Sequence, residues 1–374
     1  MVKDPFSEYI RHIEADKREK GYAWQTAIGL QDVDGLKPSK YLIDTAIKNI
    51  EGEITIDMAE QWISRYYEEH PSTENDERTE EADKVSVRIA KLLSEPAFSF
   101  NANQYLAIHK YLFQDIYVHA GQIRAYNFTK KEWVLEGASV TYGIASELKA
   151  TLEYDLQQEK NFSYKNLSMV EIIDHLAQFI ARLWQIHIFE EGNTRTTAVF
   201  LIKYLKTLGF KVTNDIFAEN AWYFRNALVR ANYNDIVNGI TETNEYLILF
   251  LRNLLFKEKN LLSNRLLHIN SSQFLTKQDI KAEKQDIEHK KQDIASGKLY
   301  ILEEFFTKTK LSVKTQKHIR RLHQTFGESV FSRANVIETL NLSAAASSEL
   351  LRKMLELNVI ENVKGAGKGK YRFR

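Results

Sequence analysis

Apolar residues recur at helical spacing over most of the chain, which predicts a mainly α-helical protein. The segment 170–186 is the clearest case, because its apolar positions 172, 173, 176, 179, 180, 183 and 184 lie close to one helical stripe. Further helices are predicted at 101–120, 196–208, 220–232 and 243–255. Gly209 ends the second of these, since glycine readily adopts the left-handed conformation that terminates helices.

A different pattern between residues 126 and 142 predicts a β-hairpin. Trp133, Val134 and Leu135 stand immediately before the pair Glu136-Gly137, which is suited to a turn. No other part of the chain offers as good a hairpin candidate.

The chain is long for a single helical domain, so we expect two or three domains in its 374 residues. The pattern divides it into a polar, helix-forming segment at 1–95, a core at 96–260, a helical linker at 261–298 and a separate unit at 299–374. Within the linker, Lys-Gln-Asp-Ile occurs three times at a spacing of seven residues. One isoleucine per heptad is too sparse for a strong coiled coil, so an exposed connecting helix is expected.

The last unit reads as two helices, 333–340 and about 344–357, followed by strand, glycine-rich turn and strand. This order resembles a small α/β winged helix, with the second helix for recognition and the hairpin as the wing. Wing cations that could contact DNA phosphates are Lys364, Lys368, Lys370 and Arg372. The second helix begins with Ala-Ala-Ala-Ser-Ser and offers few side chains able to read bases. DNA binding and protein docking therefore stand as equal alternatives.

Composition narrows the class of protein further. The formal net charge is +1, so a nucleic-acid role would need a local patch of charge. The absence of cysteine excludes disulfides, thiolate metal sites and cysteine nucleophiles, and it fits a reducing cytoplasm. Neither an N-terminal apolar leader nor a run of about 18 apolar residues is present, so no membrane association is expected.

The run 187–197, His-Ile-Phe-Glu-Glu-Gly-Asn-Thr-Arg-Thr-Thr, gathers the groups that phosphoryl or nucleotidyl transfer requires. His187 can act as a general base near neutral pH. Glu191 can hold Mg²⁺ beside a phosphate. A Gly-Asn step that opens a helix leaves backbone N–H groups free for an anion. Arg195 can bind phosphate through two parallel hydrogen bonds.

These residues resemble the motif of the Fic family, H-P-F-x-[D/E]-G-N-G-R-x-x-R, and the resemblance covers roughly residues 96–255. It implies a helical enzyme that moves AMP from ATP, with Mg²⁺, onto a Ser, Thr or Tyr hydroxyl of a target protein. The resemblance assigns the general base to His187 and the metal ligand to Glu191. It assigns phosphate binding to Gly192, Asn193, Thr194 and Arg195.

Three positions depart from the family motif. Ile188 replaces proline, Thr194 replaces the second glycine, and Ala198 replaces the second arginine. In the family that arginine helps to hold the terminal phosphate of ATP, so its loss leaves the identity of the nucleotide donor undetermined. Arg225 and Arg230 are candidates to supply the missing charge, and a donor other than ATP is the alternative.

The same resemblance gives the hairpin and the N-terminus functional readings. Fic proteins carry a flap before the motif that pairs with the target, which would here be formed by Trp133, Val134 and Leu135. Residues 26–39 and 49–55 resemble the small antitoxins that inhibit Fic toxins through a glutamate. The matching acids are Asp34 and, in another frame, Glu51.

Because the usual arginine partner is replaced at position 198, we expect the inhibitory ion pair to be lost. Replacing Asp34 or Glu51 by glycine should then change the activity about tenfold or less. A purely structural role for residues 22–70, as a helical cap, is an equal alternative to an inhibitory role.

Three functions remain open from the sequence. The first is a nucleotidyltransferase that modifies protein hydroxyls. The second is a regulatory protein that binds DNA or docks on proteins and carries a degenerate core. The third is a related phospho- or phosphocholine transferase. His187 favours an enzyme, because a sensor needs no general base. The target protein and the oligomeric state, including a homodimer, stay open.

Overall fold

The computed structural model describes residues 15–70, 77–212, 215–271, 311, 313–326, 330–357, 359–363 and 369–373. The chain divides into two compact units, Met1–Thr276 and Lys277–Arg374. The described part is mainly helical, which confirms the predicted fold class. The heptad repeat at 277–294 lies outside the described residues, as do Lys364 and Lys368.

The first unit is a helical bundle around one hydrophobic core. Its helices are α1 (Ala15–Gly29), α2 (Lys40–Glu51), α3 (Ile56–Glu69), α4 (Glu77–Ser94), α5 (Ala102–Phe113), α6 (Leu148–Asn161), α7 (Met169–Ile186), α8 (Asn193–Thr207), α9 (Asp215–Arg230), α10 (Glu245–Phe256) and α11 (Asn264–Leu267). Short 3-10 turns occur at Leu30–Asp34, Trp133–Leu135 and Ile236–Asn238.

Helices α7 and α8 form the centre of this unit, and the segment between them is the His187 run. Helix α7 begins at Ser168, whose side chain forms a capping box with Glu171. Every residue of α8 from Asn193 to Leu205 is buried, because α4, α5, α7 and the turn at 30–34 all pack on it. The helices before residue 95 therefore share the core of the later ones and lie directly beside the start of α8.

The predicted hairpin between residues 126 and 142 does not form, and this prediction was wrong. The segment is a loop that contains the 3-10 turn Trp133–Leu135. The main-chain N–H of Glu132 donates to the carbonyl of Ala138, and the carbonyl of Glu132 accepts from the N–H of Gly137, which closes the loop. Val134 and Leu135 face the core instead of alternating between two faces, so no strand can be sustained. The main-chain carbonyl of Val134 also accepts a hydrogen bond from Ile269.

The second unit contains α12 (Val313–Phe326), α13 (Arg333–Leu340) and α14 (Ala344–Glu356). Its antiparallel sheet has the order β1 (Phe331–Ser332), β3 (Lys370–Phe373), β2 (Ile360–Asn362). The register pairs Phe331 with Tyr371 and Ile360 with Phe373. The two predicted helices of this unit are confirmed, whereas its assignment as a winged helix stays a prediction.

Among the helices that the structure describes, none has the length and apolar character needed to cross a membrane.

Candidate functional site

His187 ends α7 in a left-handed backbone conformation, with φ 48° and ψ 55°. A non-glycine residue in this region is uncommon and is held there by its surroundings. Arg124 provides that hold, because its Nε donates to the carbonyl of His187 at 2.7 Å. The main-chain N–H of Arg124 also donates to the carbonyl of Ile188 at 3.0 Å. The predicted base is therefore fixed from the backbone side.

The imidazole of His187 lies in an aromatic pocket and is 4% exposed. The ring of Tyr142 stacks on it at 4.1 Å between centroids, and Trp184 meets it edge-on at 5.2 Å. Neither ring nitrogen has a hydrogen-bond partner in the described part of the chain. Burial, with the positive charges of Lys130 and Arg225, holds the pKa of His187 well below its ordinary value. The ring is therefore neutral and able to accept a proton.

The loop between His187 and α8 is braced internally. The amide side chain of Asn193 accepts a hydrogen bond from the main-chain N–H of Phe189 and donates to its carbonyl. Gly192 has φ 74°, and an added Cβ there would lie 2.4 Å from the ring of Phe113. Only glycine fits this position. The side chain of Asn193 is thus engaged within the loop, and the phosphate role predicted for it stays a prediction.

Helix α8 starts at Asn193 with no side-chain cap from Gly192. The N-terminus of a helix carries positive partial charge and suits an anion. Thr194 fits here because it is already helical, and its hydroxyl accepts a hydrogen bond from the indole of Trp184 at 3.0 Å. Glycine is therefore not needed at that position.

Glu191 is the exposed acid of the motif, with 49% of its side chain accessible. The ammonium of Lys130 lies 2.9 Å from its carboxylate. Its main-chain carbonyl accepts a hydrogen bond from His109 Nε2 at 3.0 Å, while His109 Nδ1 accepts one from Gly121. Burial lowers the pKa of His109 to about 3, so this imidazole is neutral and its tautomer is fixed by its two partners.

Arg195 is 1% exposed and is surrounded by groups from the N-terminal segment. Its guanidinium contacts Glu81 at 2.6 Å, Asp34 at 3.0 Å and the amide oxygen of Gln31 at 3.0 Å. Burial alone would lower the pKa of Arg195, but the charges of Asp34 and Glu81 outweigh it and raise the pKa. Asp34 thus has an ion pair that the sequence did not predict, because it pairs with the first motif arginine, Arg195, and not with position 198.

The other predicted inhibitory acid lies elsewhere. Glu51 is the last residue of α2 and pairs with Lys17 at 2.8 Å. Ala198, which stands where the family has its second arginine, is fully buried.

The two arginines proposed to replace the second one are differently placed. Arg225 is held by both carboxylate oxygens of Glu132, at 2.7 and 3.0 Å, and Glu132 also accepts a hydrogen bond from Tyr142. Arg230 is the last residue of α9 and is buried near Tyr233 and Tyr246. Arg225 is thus committed to the loop that covers His187, and the phosphate role predicted for Arg230 stays a prediction.

The predicted flap residues differ in accessibility. Trp133 is 43% exposed and packs edge-on against His268, whereas Val134 and Leu135 are buried. Val134 and Leu135 therefore cannot offer side chains to a target in this conformation. Site residues that the sequence analysis did not single out include Lys130, Glu132, Glu81 and Gln31. Gln31 lies within the antitoxin-like segment but had no role assigned there, and the contacts of all four are revealed only by the fold.

The described residues contain no group of three or more His, Asp or Glu side chains that could enclose a metal. Mg²⁺ is commonly held by one or two carboxylates together with substrate phosphates. The accessible carboxylate of Glu191, which already has a cation beside it, fits such a single-ligand site.

The profile of the Fic/DOC family matches residues 99–205. Similar solved structures include the N-terminal FIC domain of Bep8, a VirB-translocated effector protein from Bartonella sp. 1-1C. It is 18% identical over 49% of this chain and 87% of its own, with a TM-score of 0.39. Another is a Fic family protein from Desulfovibrio desulfuricans G20, 13% identical over 96% of this chain and 87% of its own, with a TM-score of 0.42.

No curated protein matched the chain. The two structural likenesses are too distant to add to the argument, so the assignment rests on the profile and its agreement with the motif. Residues 99–205 are a Fic/DOC domain, from a family whose members transfer AMP or similar groups onto proteins.

Proposed function

We propose that this protein is a nucleotidyltransferase that moves AMP from ATP to a Ser, Thr or Tyr hydroxyl of a target protein. The observation that carries the proposal is the imidazole of His187, which is buried, neutral and without a partner on either nitrogen among the described residues. A buried polar group normally has a hydrogen-bond partner, and exceptions concentrate at functional sites. A neutral imidazole with an unpaired ring nitrogen has the lone pair that a general base uses to take up a proton.

In the proposed reaction the hydroxyl oxygen of the target attacks the α-phosphorus of ATP. The bond between the α-phosphorus and the bridging oxygen breaks, and pyrophosphate leaves. The hydroxyl proton moves to a ring nitrogen of His187, which Arg124 holds in place through its carbonyl. The start of α8 supplies positive partial charge for the phosphates, and Arg195 supplies a full one once it is released from its carboxylates.

Mg²⁺ bound with the donor would neutralise phosphate charge. Glu191 is the residue that would hold it, since its carboxylate is accessible beside the motif loop. Tyr142 and the Arg225–Glu132 pair keep water away from the imidazole.

The test uses the full chain with Mg²⁺, a cell extract as the source of targets, and ATP labelled in parallel at the α- or the γ-phosphate. We expect protein-bound label from the α-position only, abolished in His187→Ala. His70→Ala, which changes an exposed histidine at the end of α3, is the matched control and should keep full transfer. Label from the γ-phosphate would refute nucleotidyl transfer in favour of phosphotransfer. Transfer that survives in His187→Ala would remove this residue as the base.

A further inference from the structure

Lys130 contacts the acid of the motif and acts electrostatically on its predicted base. Lys130 belongs to the loop before the 3-10 turn at 133–135, and its main-chain N–H donates to Ser139 Oγ at 3.0 Å. Its ammonium lies 2.9 Å from Glu191 and acts electrostatically on the imidazole of His187. About a third of its side chain is exposed, so the ammonium can change partners without unfolding the loop.

Among the described residues, the cations beside the motif are already paired, while Arg230 at the end of α9 is a buried cation whose Nε and Nη1 have no hydrogen-bond partner. Position 198, where the family has its second arginine, holds a buried alanine. Arg225 is bound by Glu132 through both carboxylate oxygens, so its charge is already paired. Arg195 is only one of the two positive charges that the family motif provides.

We propose that Lys130 is a catalytic residue that binds the phosphates of the donor and replaces the charge of the missing second arginine. The inference rests on the proposed function. In this structure the carboxylate of Glu191 occupies the ammonium, and a phosphate oxygen is an equivalent anionic partner for it. Lysine binds phosphate as a point charge, without the two-pronged geometry of arginine. A lysine that takes over the role of the second arginine therefore keeps positive charge at the site but orients the phosphates less strictly.

A different role for Lys130 predicts the opposite behaviour. If the ammonium served only to block Glu191, its removal would free the carboxylate. The concentration of Mg²⁺ needed for half-maximal transfer would then fall, and the transfer rate would stay the same or rise. If Lys130 binds phosphate, its removal weakens donor binding and slows transfer.

The experiment compares wild type, Lys130→Met, Lys130→Arg and the control Lys131→Met, which changes the exposed neighbouring lysine. Calorimetry measures the Kd of ATP and of pyrophosphate, each with Mg²⁺, and label transfer from α-labelled ATP measures the rate. We expect Lys130→Met to raise both Kd values about tenfold, which corresponds to roughly 1.4 kcal/mol. Its transfer rate should fall ~10²-fold, the scale of removing one preorganised contact. Lys130→Arg should stay close to wild type, as should Lys131→Met.

The measured affinity for pyrophosphate distinguishes the role of Lys130 from the proposed function. If wild type transfers no label but binds pyrophosphate more tightly than Lys130→Met, nucleotidyl transfer is refuted and the role of Lys130 is supported. If wild type transfers label and Lys130→Met does so equally, Lys130 has no catalytic role and the proposed function stands. A wild type that binds neither ATP nor pyrophosphate would refute both.

Discussion

Replacing Asp34 by asparagine should release activity, because this carboxylate occupies an arginine that the donor needs. The guanidinium of Arg195 is shared between Asp34 at 3.0 Å and Glu81 at 2.6 Å, so two carboxylates pair with one arginine. Asparagine keeps the shape of the Asp34 side chain and removes one of these two negative charges. Arg195 then retains Glu81 as a counter-ion, so the fold should lose little stability.

The size of the effect follows from Coulomb's law. A phosphate oxygen that replaces Asp34 at Arg195 would lie about 4 Å from the displaced carboxylate, where two unit charges repel by ~1 kcal/mol in water and ~4 kcal/mol at an effective dielectric of 20. Asp34 keeps 26% of its side chain exposed, so an intermediate value of about 2 kcal/mol is reasonable. That corresponds to roughly 30-fold tighter binding of the donor. Sequence alone suggested about tenfold or less, because it gave Asp34 no arginine to contact.

The assay is the initial rate of label transfer from α-labelled ATP below its Kd, with thermal unfolding measured on the same samples. Asp32→Asn is the matched control, because it removes an exposed carboxylate from the same 3-10 turn. Glu51→Gly should also stay near wild type, since Glu51 pairs with Lys17. A folded Asp34→Asn protein with less than threefold activation would refute the reasoning, as would equal activation by Asp32→Asn.

Other substitutions test the remaining groups. Glu191→Ala should abolish Mg²⁺-dependent nucleotide binding in calorimetry without changing the melting temperature, because half of this side chain is exposed; unchanged Mg²⁺ dependence would exclude Glu191. Arg195→Ala should lower transfer ~10²-fold or more, whereas a loss below tenfold would mean that another cation binds the phosphates. Ala198→Arg should destabilise the fold by several kcal/mol, since it places an unpaired charge at a fully buried position, and urea unfolding measures this directly.

The stability of the fold should also depend on pH through His109. The pKa of His109 is lowered to about 3 in the folded state, so below its unfolded value near 6.5 only the unfolded chain takes up this proton. Stability should therefore fall as pH drops from 6.5, by about 1.4 kcal/mol per unit from this group, and His109→Gln should reduce that slope in urea unfolding at pH 7, 6 and 5. The same dependence of unfolding free energy on pH in wild type and His109→Gln would contradict this prediction.

The helices were predictable because their signals are local and periodic. The stripe at 170–186 agrees with α7 at Met169–Ile186. The segment at 196–208 agrees with α8 at Asn193–Thr207, which begins about one turn earlier and ends one residue earlier. The prediction for residues 126–142 failed because this region lacks such a periodic signal. Its apolar cluster has no consistent period, and a buried 3-10 turn and a strand use similar residues. Which one forms depends on partners such as Ile269, which lies far along the chain.

The motif singled out His187 as the predicted base and Glu191 as the exposed acid, but it could not show which charges surround them. The ammonium of Lys130 reaches Glu191 from a position 61 residues earlier, and Gln31 reaches Arg195 from one 164 residues earlier. Sequence patterns carry no information about such pairs unless a known family supplies it. Electrostatic partners across long separations are set by packing, and they determine the behaviour of this site.

The geometry of α8 connects two departures from the family pattern, alanine at position 198 in place of arginine and aspartate at position 34 in place of glutamate. Positions 195 and 198 are three residues apart, so their side chains lie on neighbouring parts of one helical face. An acid that would have faced position 198 can therefore meet position 195, about one turn closer to the start of the helix. Asp34 makes that contact, while the methyl group of Ala198 packs into the core. Comparing motifs position by position suggests that both halves of an ion pair are gone. The structure shows instead that the acid has a partner, Arg195, which is the arginine that we propose to bind the donor.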